Sequence, residues 1–168
     1  MSSAVLKVVK PHEVQEAEQL LHAGFAEYAR GAGRSQTGPY PWLADSVDRE
    51  MVLFWKGRAG IVVLDGGTAE GRVTLSMLAL APDQQGTGQG AQMMASVVDE
   101  VAARGFHVLE LYTLEQYGHL RRFYERLGFV LERKGRHPTQ KDDLTRIFMA
   151  RKVTENGSVK PLFQEAGE

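Results

Sequence analysis

Apolar residues recur along this chain with two different periods, and the changes from one to the other mark its elements. Ala4–Lys10 reads as a short strand. From Pro11, residues Val14, Ala17, Leu21, Phe25 and Tyr28 fall at near-helical spacing, and Gly31 closes the run, which predicts an amphipathic helix. Gly31–Pro41 is rich in Gly, Pro, Ser and Thr and reads as a loop, and Trp42–Glu50 as a second short helix. From Met51 three strand-like runs are separated by glycine-bearing turns: MVLFW, AGIVVLD and RVTLSMLALAP. They predict a β-meander. A helix is expected over about Gly88–Arg104, with Ala91, Met94, Ala95, Val98, Val101 and Ala102 on its apolar side and Gly105 as its stop. Phe106–Thr113 reads as a strand. Leu120, Phe123, Tyr124 and Leu127 then mark one face of a short helix ended by Gly128. FVLERK and TRIFMARK supply two closing strands, and Thr154–Glu168 is a polar tail without periodicity.

These elements make a single α/β domain over residues 1–153, followed by the tail 154–168; repeats and an internal boundary are absent from the pattern. Lys and Arg total 20 against 21 Asp and Glu, a net charge of −1, so no overall field favours nucleic acid. With no Cys, disulfides, zinc ribbons and cysteine nucleophiles are excluded. No apolar run approaches the ~20 residues that span a bilayer. The N-terminal stretch lacks a basic region followed by a long apolar run, and a cytoplasmic protein without a membrane partner is expected. His12, His22, His119 and His137 have no metal-ligand spacing, and no metal is implied.

The chemistry concentrates in PDQQGTGQG, between a strand and a helix. Gly86, Gly88 and Gly90 leave backbone N–H groups uncovered where a helix begins, at the positive end of its dipole. Such a loop suits phosphate. Gly86, Gly88 and Ala91 also satisfy the dinucleotide fingerprint G-x-G-x-x-A, with Glu110 near the place of a ribose-binding acid. Against a dinucleotide-binding protein stand Pro82–Gln85, which separate strand from first glycine, and a meander in place of repeated strand–helix units.

QQGTGQG contains Q/R-x-x-G-x-G/A as Gln85, Gly88 and Gly90, and RRFYERLGFV resembles the YEKLGF segment of the same family, the GCN5-related N-acetyltransferases (GNAT). The resemblance is strongest over Val73–Val130. It implies an α/β fold with a mixed, mostly antiparallel central sheet flanked by helices, and a splayed cleft for acetyl-CoA. It also implies a transfer of acetyl from acetyl-CoA to a primary amine of a small molecule or peptide. Backbone groups of Leu78, Leu80 and Ala81 would meet pantetheine, and the amides of Gln85, Gly86, Thr87, Gly88, Gln89 and Gly90 would take the diphosphate. Tyr117 and Leu120 stand where the family often has Asn and Ala, which places Tyr117 at the pantetheine position.

Tyr124 matches the family's general acid, able to protonate the departing thiolate; its helix face alone would equally suit a core tyrosine. For the base, Glu110 ranks ahead of His107 and Glu70. The resemblance assigns acceptor recognition to Tyr28–Trp42 and Lys134–Leu144, with Tyr28, Tyr40 and Trp42 as aromatic candidates suited to a cationic amine. It admits a homodimer. A non-catalytic acyl-CoA-binding regulatory module is the alternative function.

Overall fold

The computed structural model describes residues 5–31, 39–66 and 69–153; the polar tail and most of the Gly31–Pro41 loop lie outside the described residues. The elements are β1 (Leu6–Val8), α1 (Val14–Gly31), α2 (Leu43–Asp48), β2 (Val52–Trp55), β3 (Gly60–Asp65), β4 (Arg72–Leu80), α3 (Gly90–Ala103), β5 (Val108–Leu114), α4 (Gly118–Arg126), β6 (Val130–Gly135) and β7 (Arg146–Lys152). Single 3-10 turns at Pro11–Glu13 and Pro82–Gln84 precede α1 and the glycine loop. Hydrogen bonding orders the strands β1-β2-β3-β4-β5-β7-β6. β1–β2, β2–β3, β5–β7 and β6–β7 pair antiparallel, whereas β4 pairs with β5 in parallel through Arg72↔Val108, Val73↔Leu109 and Thr74↔Glu110. The expected mixed, mostly antiparallel α/β sheet is therefore present. Among the described residues no helix is long and apolar enough to cross a membrane.

By its contacts the chain divides into two compact units, Met1–Asp65 with Leu75–Val97, and Gly66–Thr74 with Val98–Glu168. In the first, Ala17 and Leu21 of α1, Leu43 and Val47 of α2, and Val52, Phe54, Ile61, Val63 and Ala79 of the strands share one buried cluster. The apolar stripe read in the sequence is thus the face of α1 that leaves water. Gly24 lets this helix come close: a Cβ built there would lie 2.7 Å from Ala79 Cβ and 3.1 Å from the Leu80 oxygen. In the second unit, Leu109, Leu111 and Thr113 of β5 are buried while Val108, Glu110 and Tyr112 are half-buried, the period-two pattern of a strand. Arg151 is fully buried and donates through Nη1 to the Leu127 oxygen at 2.9 Å, which satisfies a carbonyl at the end of α4.

Two of the boundaries that differ from the sequence reading have a clear local cause. α3 begins at Gly90 rather than Gly88 because Gly86 and Gly88 adopt φ +75° and +79°, outside the right-handed helical region. β5 begins at Val108 rather than Phe106: the Phe106 N–H returns to the Val101 oxygen and the His107 N–H goes to the Gly71 oxygen at 2.7 Å, so both serve the turn after α3.

Candidate active site

The first unit holds the glycine loop. Ala81 donates its N–H to the Ala59 oxygen at 2.8 Å, and Gln84 and Gln85 close the 3-10 turn on Ala81 and Pro82. Beyond it, the backbone N–H groups of Gly86, Thr87, Gly88, Gln89 and Gly90 have no protein partner among the described residues. Five successive donors therefore stand at the start of a 14-residue helix, where the dipole favours negative charge. A built Cβ at Gly86 or Gly88 meets nothing within 4 Å, so the positive φ, not lack of room, is what calls for glycine.

Side chains shape this loop rather than fill it. Gln89 Nε2 donates to Gln84 Oε1 at 2.7 Å and to Thr87 Oγ1 at 2.9 Å, and Thr87 Oγ1 donates to the Gln84 oxygen. Gln85 Nε2 donates to the Leu80 oxygen at 3.0 Å and to the Gly24 oxygen at 3.4 Å, tying the loop to the end of β4 and to α1. The side chains of Gln85, Thr87 and Gln89 are therefore bound to the protein, and only backbone amides are offered outward. The Gln85 N–H returns to the Pro82 oxygen at 3.4 Å, so the run of open amides starts at Gly86. Of the groups assigned to pantetheine, the Leu80 oxygen and the Ala81 N–H already have partners. Leu78 is half-buried.

The aromatic candidates lie in the same unit. Tyr40 stacks on His22, with centroids 4.7 Å apart and an interplanar angle of 15°, and meets Trp42 at 5.1 Å. The Tyr40 N–H donates to Glu18 Oε2 at 2.8 Å. Tyr28 packs edge-on to Phe25, 6.0 Å away, and Trp42 is 37% exposed.

Glu110, Tyr117 and Tyr124 belong to the second unit. Glu110 Oε1 accepts from Arg72 Nε at 2.7 Å and Oε2 from Thr74 Oγ1 at 2.8 Å. Both carboxylate oxygens are thus engaged. The hydrogen bond to Glu110 holds the Arg72 guanidinium above its ordinary pKa, against the burial that opposes it, and Glu132 adds a second ion pair at 2.7 Å. Tyr117 caps α4, its oxygen accepting from the Leu120 and Arg121 N–H groups. Tyr124 is half-buried and packs edge-on against Phe123 and Phe129, 5.3 and 5.8 Å away. None of α4's residues is fully buried, so its apolar stripe is a half-covered face rather than core. His107 and Glu70 are exposed, and among the described residues no cluster of three or more His, Asp or Glu side chains is arranged for a metal.

Sequence reasoning missed Gln84, the acceptor of both loop braces, and Gly24. A lone glycine inside an amphipathic helix was the available signal for the second.

A family model described as the acetyltransferase (GNAT) family matches residues 14–129, more than half of the chain. The chain belongs to the GNAT acetyltransferase family. The co-substrate of GNAT enzymes is acetyl-CoA, whose diphosphate suits the open amides of Gly86–Gly90. Solved GNAT structures share the fold. The ribosomal-protein-S18-alanine N-acetyltransferase of Escherichia coli is 21% identical, with a TM-score of 0.63, covering 89% of this chain and 93% of its own. A GNAT acetyltransferase from Listeria monocytogenes is 12% identical, with a TM-score of 0.68, covering 89% and 94%. The PaiA N-acetyltransferase of Thermoplasma acidophilum, solved with coenzyme A, is 14% identical, with a TM-score of 0.64, covering 88% and 98%. No curated protein matches the chain significantly.

Proposed function

We propose that this GNAT protein is a cytoplasmic N-acetyltransferase that moves the acetyl group of acetyl-CoA directly to a primary amine of a small molecule or peptide. The observation that carries the reading is the run of five unpartnered amides from Gly86 to Gly90 at the start of α3. Their donors and the helix dipole supply the anion site without a basic side chain.

The thioester is already activated, so the protein's main task is to hold it beside a neutral amine. The amine nitrogen attacks the acetyl carbonyl carbon, the carbon–sulfur bond breaks, the nitrogen loses a proton and the thiolate gains one. Tyr124 is assigned the second proton transfer, through its phenol. What supports this is its place at the head of the family segment Tyr124–Phe129. Tyr117, at the start of α4, is the pantetheine contact in this reading, and Tyr28, Tyr40 and Trp42 receive the acceptor.

Glu110 receives no catalytic part here, because accepting a proton would remove the charge that pairs with Arg72. An alkylammonium with a pKa of about 10.4 leaves a small neutral fraction at pH 7, which rises with pH, so the rate should climb toward alkaline pH. Tyr124→Phe tests the assignment. It should lower kcat by about 10²-fold while acetyl-CoA affinity stays within a few-fold. Unchanged kcat at every pH would remove Tyr124 from the mechanism, and acetyl-CoA binding without acetylation across a broad amine panel would favour the regulatory module.

A further inference from the structure

One imidazole holds the turn in the connection between β6 and β7. The His137 main-chain oxygen accepts the Gln140 N–H at 2.8 Å, closing a turn with Pro138 in its second position. Its side chain closes the same turn: Nδ1 accepts the Thr139 N–H at 3.1 Å and lies 3.0 Å from Thr139 Oγ1. Gln140 takes φ +55° there, a left-handed conformation that glutamine rarely adopts unless held.

A backbone N–H can only donate, so Nδ1 must carry a lone pair. The proton of the neutral ring then sits on Nε2, which faces Tyr112 Oη of β5 at 3.4 Å. The two rings meet edge to face, 5.2 Å apart at 88°, and Tyr112 packs in turn on Phe148 of β7 at 5.3 Å. The Tyr112 phenol comes to this cluster from β5, and the Arg133 guanidinium of β6 lies 3.7 Å over the Phe148 ring. Within the connection itself, Arg136 pairs with Asp143, and Asp142 with buried Arg146.

We propose that His137 is a proton-sensitive positioning residue: its neutral ring, seated beside Tyr112 of β5, clamps the β6–β7 turn shut through the Thr139 N–H, and protonation of Nδ1 breaks that bond. A proton on Nδ1 sets N–H against the Thr139 N–H, so the bond from that backbone N–H exists only with the neutral ring, whereas Thr139 Oγ1 can pair with Nδ1 in either state. The consequence for catalysis rests on the proposed acetyl transfer, in which Lys134–Leu144 meets the acceptor. There, loss of the clamp raises the KM for amine as the pH falls through the range in which histidine titrates.

The test is amide hydrogen exchange of the full chain, followed by NMR between about pH 5.5 and 8 and corrected for intrinsic exchange. In the wild type, Thr139 protection should fall at least severalfold on the acid side. In His137→Asn, whose Oδ1 accepts the same N–H and does not titrate, protection should stay level across the range. His137→Ala should lack it throughout; if that variant fails to fold, the asparagine variant carries the comparison. Thr139 protection that ignores pH in the wild type, or that follows pH equally in His137→Asn, would overturn the clamp. Amine KM is measured in parallel and should follow the wild-type amide profile. An intact amide profile with a flat KM would support the clamp and count against the acceptor role of the connection.

Discussion

Gln89 Nε2 lies 2.7 Å from Gln84 Oε1, a bond that joins the start of α3 to the turn before the glycines. Thr87 completes the brace by donating to the Gln84 oxygen and accepting from Gln89. The loop's side chains are thus spent on its shape, and its open donors are held in place before an anion arrives. Less ordering is then needed on binding, which is how preorganisation raises affinity.

Gln84→Ala and Gln89→Ala should each weaken acetyl-CoA binding by about three- to tenfold, through loss of loop order rather than of a ligand contact. Because the two side chains share one bond, the double variant should cost little more than either single one. Calorimetric titration of the four proteins gives the cycle; strictly additive losses would mean that the residues act separately.

Gly24→Ala puts a methyl group 2.7 Å from Ala79 Cβ, between α1 and β4. Overpacking of this kind costs about 1–3 kcal/mol, and in a chain of this size each kcal/mol lowers Tm by roughly 2–4 °C. Thermal unfolding should show that fall despite alanine's better helix propensity. An unchanged or higher Tm would mean that the helix adjusts freely.

The helices and strands were largely legible because their apolar residues keep period, as Ala17 and Leu21 do on α1 and Leu109 and Leu111 on β5. The loop was legible as an anion site because glycine spacing and a following helix are local signals. What sequence could not supply was the direction of polar side chains. Gln85, Thr87 and Gln89 sit in a ligand-binding motif yet turn back onto the protein, and Glu110 meets Arg72 across two strands distant in sequence. Those pairings depend on register. The His137–Tyr112 contact is likewise set by how the connection folds onto β5, which periodicity does not encode.

Glu110→Gln distinguishes a counter-ion from a base. As the partner of half-buried Arg72, Glu110 should cost about 1–3 kcal/mol of stability on substitution, with kcat retained within a few-fold. A loss of about 10²-fold or more in kcat with unchanged stability would restore it as the base.

Glu13 offers a check at low pH. The Lys10 backbone N–H, with Arg58 assisting, holds its carboxyl below the usual range against the desolvation that opposes it. A lowered folded pKa gives stability that is present above the unfolded value of about 4.3 and lost as pH falls through the folded one. Wild type should therefore melt above Glu13→Gln at pH 7, and the gap should close as the pH drops below about 4. A gap constant over that range would place the effect outside the carboxylate's charge.

The most direct measurement is a calorimetric comparison of acetyl-CoA with S-acetylpantetheine, which carries the same thioester and arm without the nucleotide diphosphate. If the amides of Gly86–Gly90 hold the diphosphate, acetyl-CoA should bind at one site per chain and the truncated thioester at least about a hundredfold more weakly, a difference of about 2.7 kcal/mol. Equal affinity for the two, or no binding of acetyl-CoA by the folded protein, would contradict the anion site on which the proposed acetyl transfer is built.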